Sequence, residues 1–304
     1  MSMGSYKIMS VLNGIGQSGA TLARVALLAR GSRPAKSISA EDKTLYILGN
    51  GPSLRQALDD YMPQLAERDT LAVNFAANTP DFFAMKPKYY VLADPHFFDK
   101  PDDPNVSKLM LALRSVDWGM RLFVPHKALE KAKRVLCRNI SDKAEETLTA
   151  PESVKIEGFN FLAVEGMEGF CHLLMRKGLG MPRPRNVLIP SIMIGIWLGY
   201  RRICILGADH TWLKTLSVTD KNRVVSVQPH FYKEDGREEV RVSECYGNVR
   251  LWQVLESMMI AFRSYHYIRR FAEKEGVEIV NVTPGSYIDA FERADLGAEF
   301  GKSK

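Results

Sequence analysis

Cysteine is scarce in this chain of 304 residues: only Cys137, Cys171, Cys204 and Cys245 occur, far apart and with no CxxC pair. That pattern excludes a disulfide scaffold and a zinc ribbon, and suits reduced thiols in a cytosolic protein. Long apolar runs are missing too. The stretch Ile192–Leu198 stops at Gly199, well short of the ~20 residues that cross a bilayer. After Lys7 the apolar stretches are broken and no small-residue cleavage site follows, so no signal peptide is expected. Internal repeats and low-complexity tracts are absent. Residues 1–40 hold no acidic residue and carry Lys7, Arg24, Arg30, Arg33 and Lys36. Those five charges account for most of the formal net charge of +6, which leaves the rest nearly neutral. A dense basic stripe of the kind nucleic acid requires is therefore excluded.

What remains is ordinary globular composition, 46% hydrophobic and 25% charged, in a chain long enough to bury about three quarters of its unfolded surface. The spacing of Leu22, Val25 and Leu28 predicts a short helix over Ala20–Leu28 within a basic extension, residues 1–43. That extension is expected either to touch anionic membrane or to pack on the domain as an extra helix. The body, residues 44–295, begins with the apolar run Leu45–Leu48, then Gly49-Asn50-Gly51-Pro52, then a helical pattern from Ser53. Ser53 with Gln56 three places on reads as a capping box. Thr70–Phe75, Lys88–Ala93, Arg121–Val124, Arg202–Leu206 and Val277–Val282 read as further strands, with a helix over His126–Cys137. Near-continuous apolar strands alternating with helices predict an α/β fold: a single Rossmann-like domain whose mostly parallel sheet is covered by helices. Ser191–Leu198 is apolar on every side and so predicts a buried helix. In a long helix over Asn248–Glu275, the stripe Leu251, Val254, Leu255, Met258, Met259, Phe262 and Tyr265 predicts a core face. Between them, residues 211–247 are polar and charged, with Arg223–Val227 and Glu239–Val242 as candidate hairpin arms. Their place after a strand end suits a lid insertion. Residues 296–304 remain as a tail.

The candidate chemistry gathers at strand ends. Glycines between a strand and a helix allow close backbone approach, and the helix N-terminus offers free N–H groups, so Gly49, Asn50, Gly51 and Ser53 are read as a phosphate-binding turn. The turn is neither GxGxxG nor a Walker loop. Asn74, Asp94 and Ser191 extend the pocket, Ser191 as the opener of the buried helix. Among six histidines, His210 beside Asp209 and His230 in the lid are the candidates for general base. No DxD pair ends a strand, since Asp94-Pro95-His96 has histidine in the third place, so no metal is expected.

Leu45–Leu54 (LYILGNGPSL), Asn74, the Ser191 helix leading into Gly199–Asp209 (GYRRICILGAD), and Asn281–Ser286 (NVTPGS) occur in that order. Over roughly residues 44–290 this resembles the bacterial sialyltransferases of the variant GT-A fold and the related MptE-like domain. The resemblance implies that Asn50, Asn74, Ser191 and Ser53 contact the cytidine monophosphate of a donor. It also implies that a lid histidine, best matched by His230, is catalytic. The chain departs from the family after Asp209, where Thr211 stands in place of a tyrosine that bonds the leaving phosphate; His210 or Tyr232 are the available substitutes. The implied function is a glycosyltransferase moving a sugar from a CMP-activated acidic donor (sialic acid or Kdo type) to a bacterial surface glycan, at the cytoplasmic face of the membrane. The alternatives are an MptE-like 6-hydroxymethylpterin diphosphokinase, with ATP, Mg²⁺ and Asp94 and Asp209 as ligands, and a nucleotide-binding module without catalysis.

Overall fold

The computed structural model describes residues 3–31, 33–34, 36, 43–137, 152–226 and 249–302. The strands β1 (Thr44–Leu48), β2 (Asp69–Val73), β3 (Tyr89–Val91), β4 (Met120–Pro125), β5 (Val154–Phe159) and β6 (Arg202–Leu206) all lie in one sheet. A short antiparallel pair, β7 (Ser217–Val218) and β8 (Val224–Val225), stands apart, and β9 (Glu278–Asn281) and β10 (Glu292–Arg293) complete the main sheet. Its order is β10-β9-β6-β1-β2-β3-β4-β5, and every pairing is parallel. The chain thus runs outward from β1 to one edge, returns to β6 beside β1, and continues to the other edge. Adjacent strands whose connections leave in opposite directions open a crevice beyond their carboxyl ends, here between β1 and β6.

Strand alternation decides which helix covers which face. Leu45, Ile47, Ile203 and Ile205 point to one side, where α7 (Glu168–Arg176), α8 (Leu188–Leu198) and α9 (Leu251–Glu275) pack. Tyr46, Leu48, Cys204 and Leu206 point to the other, against α2 (Ser53–Ala66). Farther along that face, Tyr90, Leu122 and Val124 meet α5 (Pro104–Arg114) and α6 (Leu129–Cys137). All eleven residues of α8 are buried, as its all-round apolar sequence requires.

Several expected boundaries move. α1 is one helix, Met3–Leu28, rather than a short segment from Ala20, and it docks on residues 163–167 through Ser18, Thr21, Arg24 and Val25. Its glycines read as punctuation in sequence, but contact with the body holds the helix across them. Residues 296–302 are not a loose tail: α10 (Leu296–Lys302) lays Phe300 against Tyr46 and Tyr61, and its buried Glu299 pairs with Arg202. Val224–Val225 pairs with Ser217–Val218, and the expected arm Glu239–Val242 lies outside the described residues. In α9 the buried positions begin at Met258, while Leu251, Leu255 and Met259 of the expected core stripe are exposed. A 25-residue helix is about 37 Å long, twice the length of the strands it covers, so its first turns outrun the sheet.

Candidate functional site

A cleft of about 400 Å³ opens at the crevice between β1 and β6. Its walls come from the turn after β1 (Gly49–Pro52), Asn74 after β2, Ala93–Pro95 after β3, and Gly207–Trp212 after β6. Pro184–Leu188, which leads into α8, closes it. The structure therefore brings Gly49, Asn50, Gly51, Asn74, Asp94, Asp209 and His210 together, from turns far apart in sequence. Ser53 and Ser191 are not in these walls. His230, Phe231, Tyr232 and the rest of the lid beyond residue 226 lie outside the described residues.

The glycines serve a contact between turns. Gly49 N donates to Leu206 O and Gly51 N donates to Gly207 O, both at 2.8 Å, which ties the turn after β1 to the turn after β6. A Cβ at Gly51 would lie 2.6 Å from Gly207 O and 1.9 Å from Asp209 Oδ2. Gly207 itself has φ +60, with Gly49 O only 2.4 Å from a Cβ built there. Close backbone approach is thus required here, and the partner is the neighbouring turn.

The N-terminus of α2 is filled by Asp209. Ser53 Oγ donates to Asp209 Oδ2 at 2.8 Å and Ser53 N donates to Oδ1 at 3.3 Å. The expected capping box does not form, because Pro52 occupies the cap position and Ser53 faces Asp209 instead. A carboxylate near a helix N-terminus gains from the dipole and from the free N–H groups, so the distant Asp209 displaces the local Ser–Gln pairing. Burial pushes the Asp209 carboxyl above the usual range, against the two Ser53 bonds that favour its charged form. A phosphate at this helix end would meet a carboxylate, which removes the turn's reading as a simple anion cradle.

Ser191 does not open its helix. It sits in the second turn of α8, fully buried, and its Oγ donates back to Val187 O at 2.8 Å. The group at the mouth of α8 is Asn186, whose Oδ1 accepts from Leu188 N at 3.0 Å and Ile189 N at 3.4 Å. Asn186 was missed because its signal is local and weak: a polar residue closing Pro182-Arg183-Pro184-Arg185 just before an apolar run. Arg185 was missed with it. Its side chain is exposed, lines the cleft, and has no ion pair among the described residues. Asn50 Nδ2 donates to Val73 O at 3.2 Å, while its Oδ1 is buried with no partner among the described residues. Asn74 takes a left-handed φ of 51, and its carbonyl accepts from Tyr90 Oη. Asp94 Oδ1 accepts from His96 N, an Asx turn.

His210 sits in a hydrogen-bonded cluster with Asn186 and Tyr265. Asn186 Oδ1 accepts two backbone N–H bonds, so the amide's orientation is settled. Tyr265 Oη lies 3.0 Å from that oxygen and 2.7 Å from His210 Nε2, and the Asn186 Nδ2 donor lies 3.4 Å from the same ring nitrogen. Nδ1 has no partner among the described residues. The ring is buried and stacks on Trp212 with centroids 4.3 Å apart. Burial pushes its pKa down to about 3, so His210 is a neutral imidazole at physiological pH. A neutral imidazole carries one N–H and one lone pair, so the ring meets a ligand as an uncharged group. A pKa this low also makes it a weak general base, since a useful base titrates near the working pH.

No family model matches this chain, and no curated protein does. Among solved structures it is similar to a MAf glycosyltransferase from Magnetospirillum magneticum AMB-1, at 11% identity and a TM-score of 0.47. That likeness covers 95% of this chain and 41% of the other, so the chain spans about two fifths of that protein's length. The Rossmann-like description rests on this chain's own parallel sheet and crevice. Among the described residues no helix is long and apolar enough to cross a membrane.

Proposed function

We propose that the chain is a glycosyltransferase whose cleft takes a CMP-activated acidic sugar and passes the sugar to a glycan acceptor. The donor class comes from the resemblance of LYILGNGPSL, Asn74 and GYRRICILGAD to the bacterial sialyltransferases. The observation that carries the reading is the chemistry of the cleft: Arg185, with no ion pair among the described residues, lines it with two side-chain amides, Asn50 and Asn74, and a neutral imidazole, His210. A guanidinium suits a phosphate or a sugar carboxylate, and the free Oδ1 of Asn50 suits a hydroxyl or amino donor. A single phosphate asks for no second cation. Asp209, with both oxygens on Ser53, is poorly placed to share a metal with Asp94, which weighs against the diphosphokinase reading. In this proposal Asp209 and the Ser53 turn shape the cleft, Arg185 and the amides hold the donor, and the base comes from the segment containing His230.

The test is a thermal-shift panel of CMP, CDP, UDP, GDP and ATP, each with and without Mg²⁺. CMP at one hundred times its dissociation constant is expected to add ~2.7 kcal/mol without metal. Asn50→Ala and Arg185→Ala should each remove most of that gain, and CMP-sugar turnover should survive excess chelator. Stabilisation by ATP alone, dependent on Mg²⁺, would establish the diphosphokinase instead. No response to any nucleotide would end the nucleotide reading.

A further inference from the structure

α1 has two stripes on adjacent faces, about a third of a turn apart. Gly14, Ser18, Thr21 and Val25, at four- and three-residue spacing, face the body: Met167 N donates to Ser18 Oγ, Thr21 Oγ1 donates to Glu165 O, and Val25 is buried. Arg24 adds a bond from its guanidinium to Ala163 O. Leu12, Ile15, Gly19, Leu22 and Ala26 follow the same spacing on the adjacent face and all face solvent. Leu12 is 60% exposed, Ile15 52% and Leu22 55%, and Leu27 just beyond reaches 82%. Nothing among the described residues covers this stripe, which runs about 20 Å along the helix axis. A soluble surface rarely keeps so many large apolar side chains in one line without a partner.

The charge around the stripe says what the partner is. Residues 1–40 contain no acid, and Arg30, Arg33 and Lys36, immediately after the helix, are exposed. A segment whose own charges are all basic complements an anionic bilayer surface. The helix is also held rigidly by its other face, so no ordering cost falls on the contact itself. We propose that α1 is an interfacial helix: its outer stripe enters the headgroup layer of an anionic membrane, and Arg30, Arg33 and Lys36 engage the lipid phosphates. The body, tethered through residues 163–167, would then be held close to a lipid-linked or membrane-borne acceptor. This contact requires no nucleotide, so its failure and that of the proposed function are separable.

The experiment is sedimentation of the full chain with vesicles of phosphatidylcholine containing about one third phosphatidylglycerol, beside pure phosphatidylcholine vesicles, with solution mass measured in parallel. The protein should partition at least about tenfold better onto the anionic vesicles, and high salt should erase most of the difference. The triple variant Leu12→Gln, Ile15→Gln, Leu22→Gln changes only exposed positions. It should keep the unfolding temperature and lose at least about tenfold in partition. No sedimentation of the wild type, or equal sedimentation of the triple variant, would overturn the proposal. So would a wild-type dimer that the triple variant converts to monomer without any vesicle binding, since the stripe would then belong to a second copy.

Discussion

Lowering the pH from about 7.5 to about 5 should destabilise this protein through His210 alone by an amount large enough to measure. In the unfolded chain the imidazole takes up a proton below its ordinary value of 6.5, while the buried ring stays neutral down to about 3. The unfolded state thus binds more protons throughout that window, and stability falls as pH falls. Two states that differ by this much in pKa contribute ~2 kcal/mol at about pH 5, and the loss continues to the folded value. Burial is the cause. His126 and His172 are also pushed down by burial and act with the same sign, so the total slope is not specific to one group. The paired carboxylates Glu157 and Glu165 are pushed down as well, but their contribution is lost only below the ordinary carboxylate range. The raised Asp209 works in the opposite direction, at the acid end. A difference of differences isolates His210: urea unfolding of wild type and His210→Gln at both pH values. The variant should lose ~2 kcal/mol less than the wild type between them. Parallel losses would show that His210 is protonated within the fold, and would refute its buried neutral state.

Other outcomes follow from the same geometry. Tyr265→Phe removes the hydroxyl bonded to His210 Nε2 while Asn186 keeps its two backbone donors, and should cost ~1–3 kcal/mol in urea unfolding. Gly51→Ala forces a Cβ against Gly207 O and Asp209, so its unfolding temperature should drop sharply; an unchanged value would mean the two turns are not in contact. Ser191→Ala removes only a bond back to Val187 O and should leave the CMP shift intact, whereas a tenfold loss of CMP affinity would return Ser191 to the donor site.

Much of the fold was legible because its signals are local. Arg202–Leu206 matches its strand end to end, and the apolar run to Leu198 does form a buried helix, since neither depends on a partner far away in sequence. The placement of Gly49–Pro52, Asn74 and Asp94 at carboxyl ends of strands was also readable, because each follows an apolar run directly. What could not be read were the contacts between segments distant in sequence. Ser53 with Gln56 is a good local cap, yet a carboxylate 156 positions away takes the serine. Ser191 looks like a helix opener after Pro190, but the helix begins at Leu188 and turns the hydroxyl inward. The continuity of α1 through Gly14, Gly16 and Gly19 depends on docking against residues 163–167, which local propensity does not register.

The two helix ends at the cleft define what kind of ligand it can hold. In an open parallel sheet the N-termini of the helices beside the crevice are the usual anion sites, and both α2 and α8 end here. Each end is already satisfied from within the chain, α2 by the Asp209 carboxylate and α8 by the Asn186 amide. The Asp209 carboxylate also places negative charge at the cleft wall, which opposes a highly charged polyphosphate more strongly than a monophosphate. Among the described residues Arg185 is the cation that lines the cleft, and one guanidinium matches one phosphate or one carboxylate in bidentate geometry. Under the proposed function, the internal capping of both helices would favour a ligand of low negative charge, a monophosphate-activated sugar over a nucleoside triphosphate.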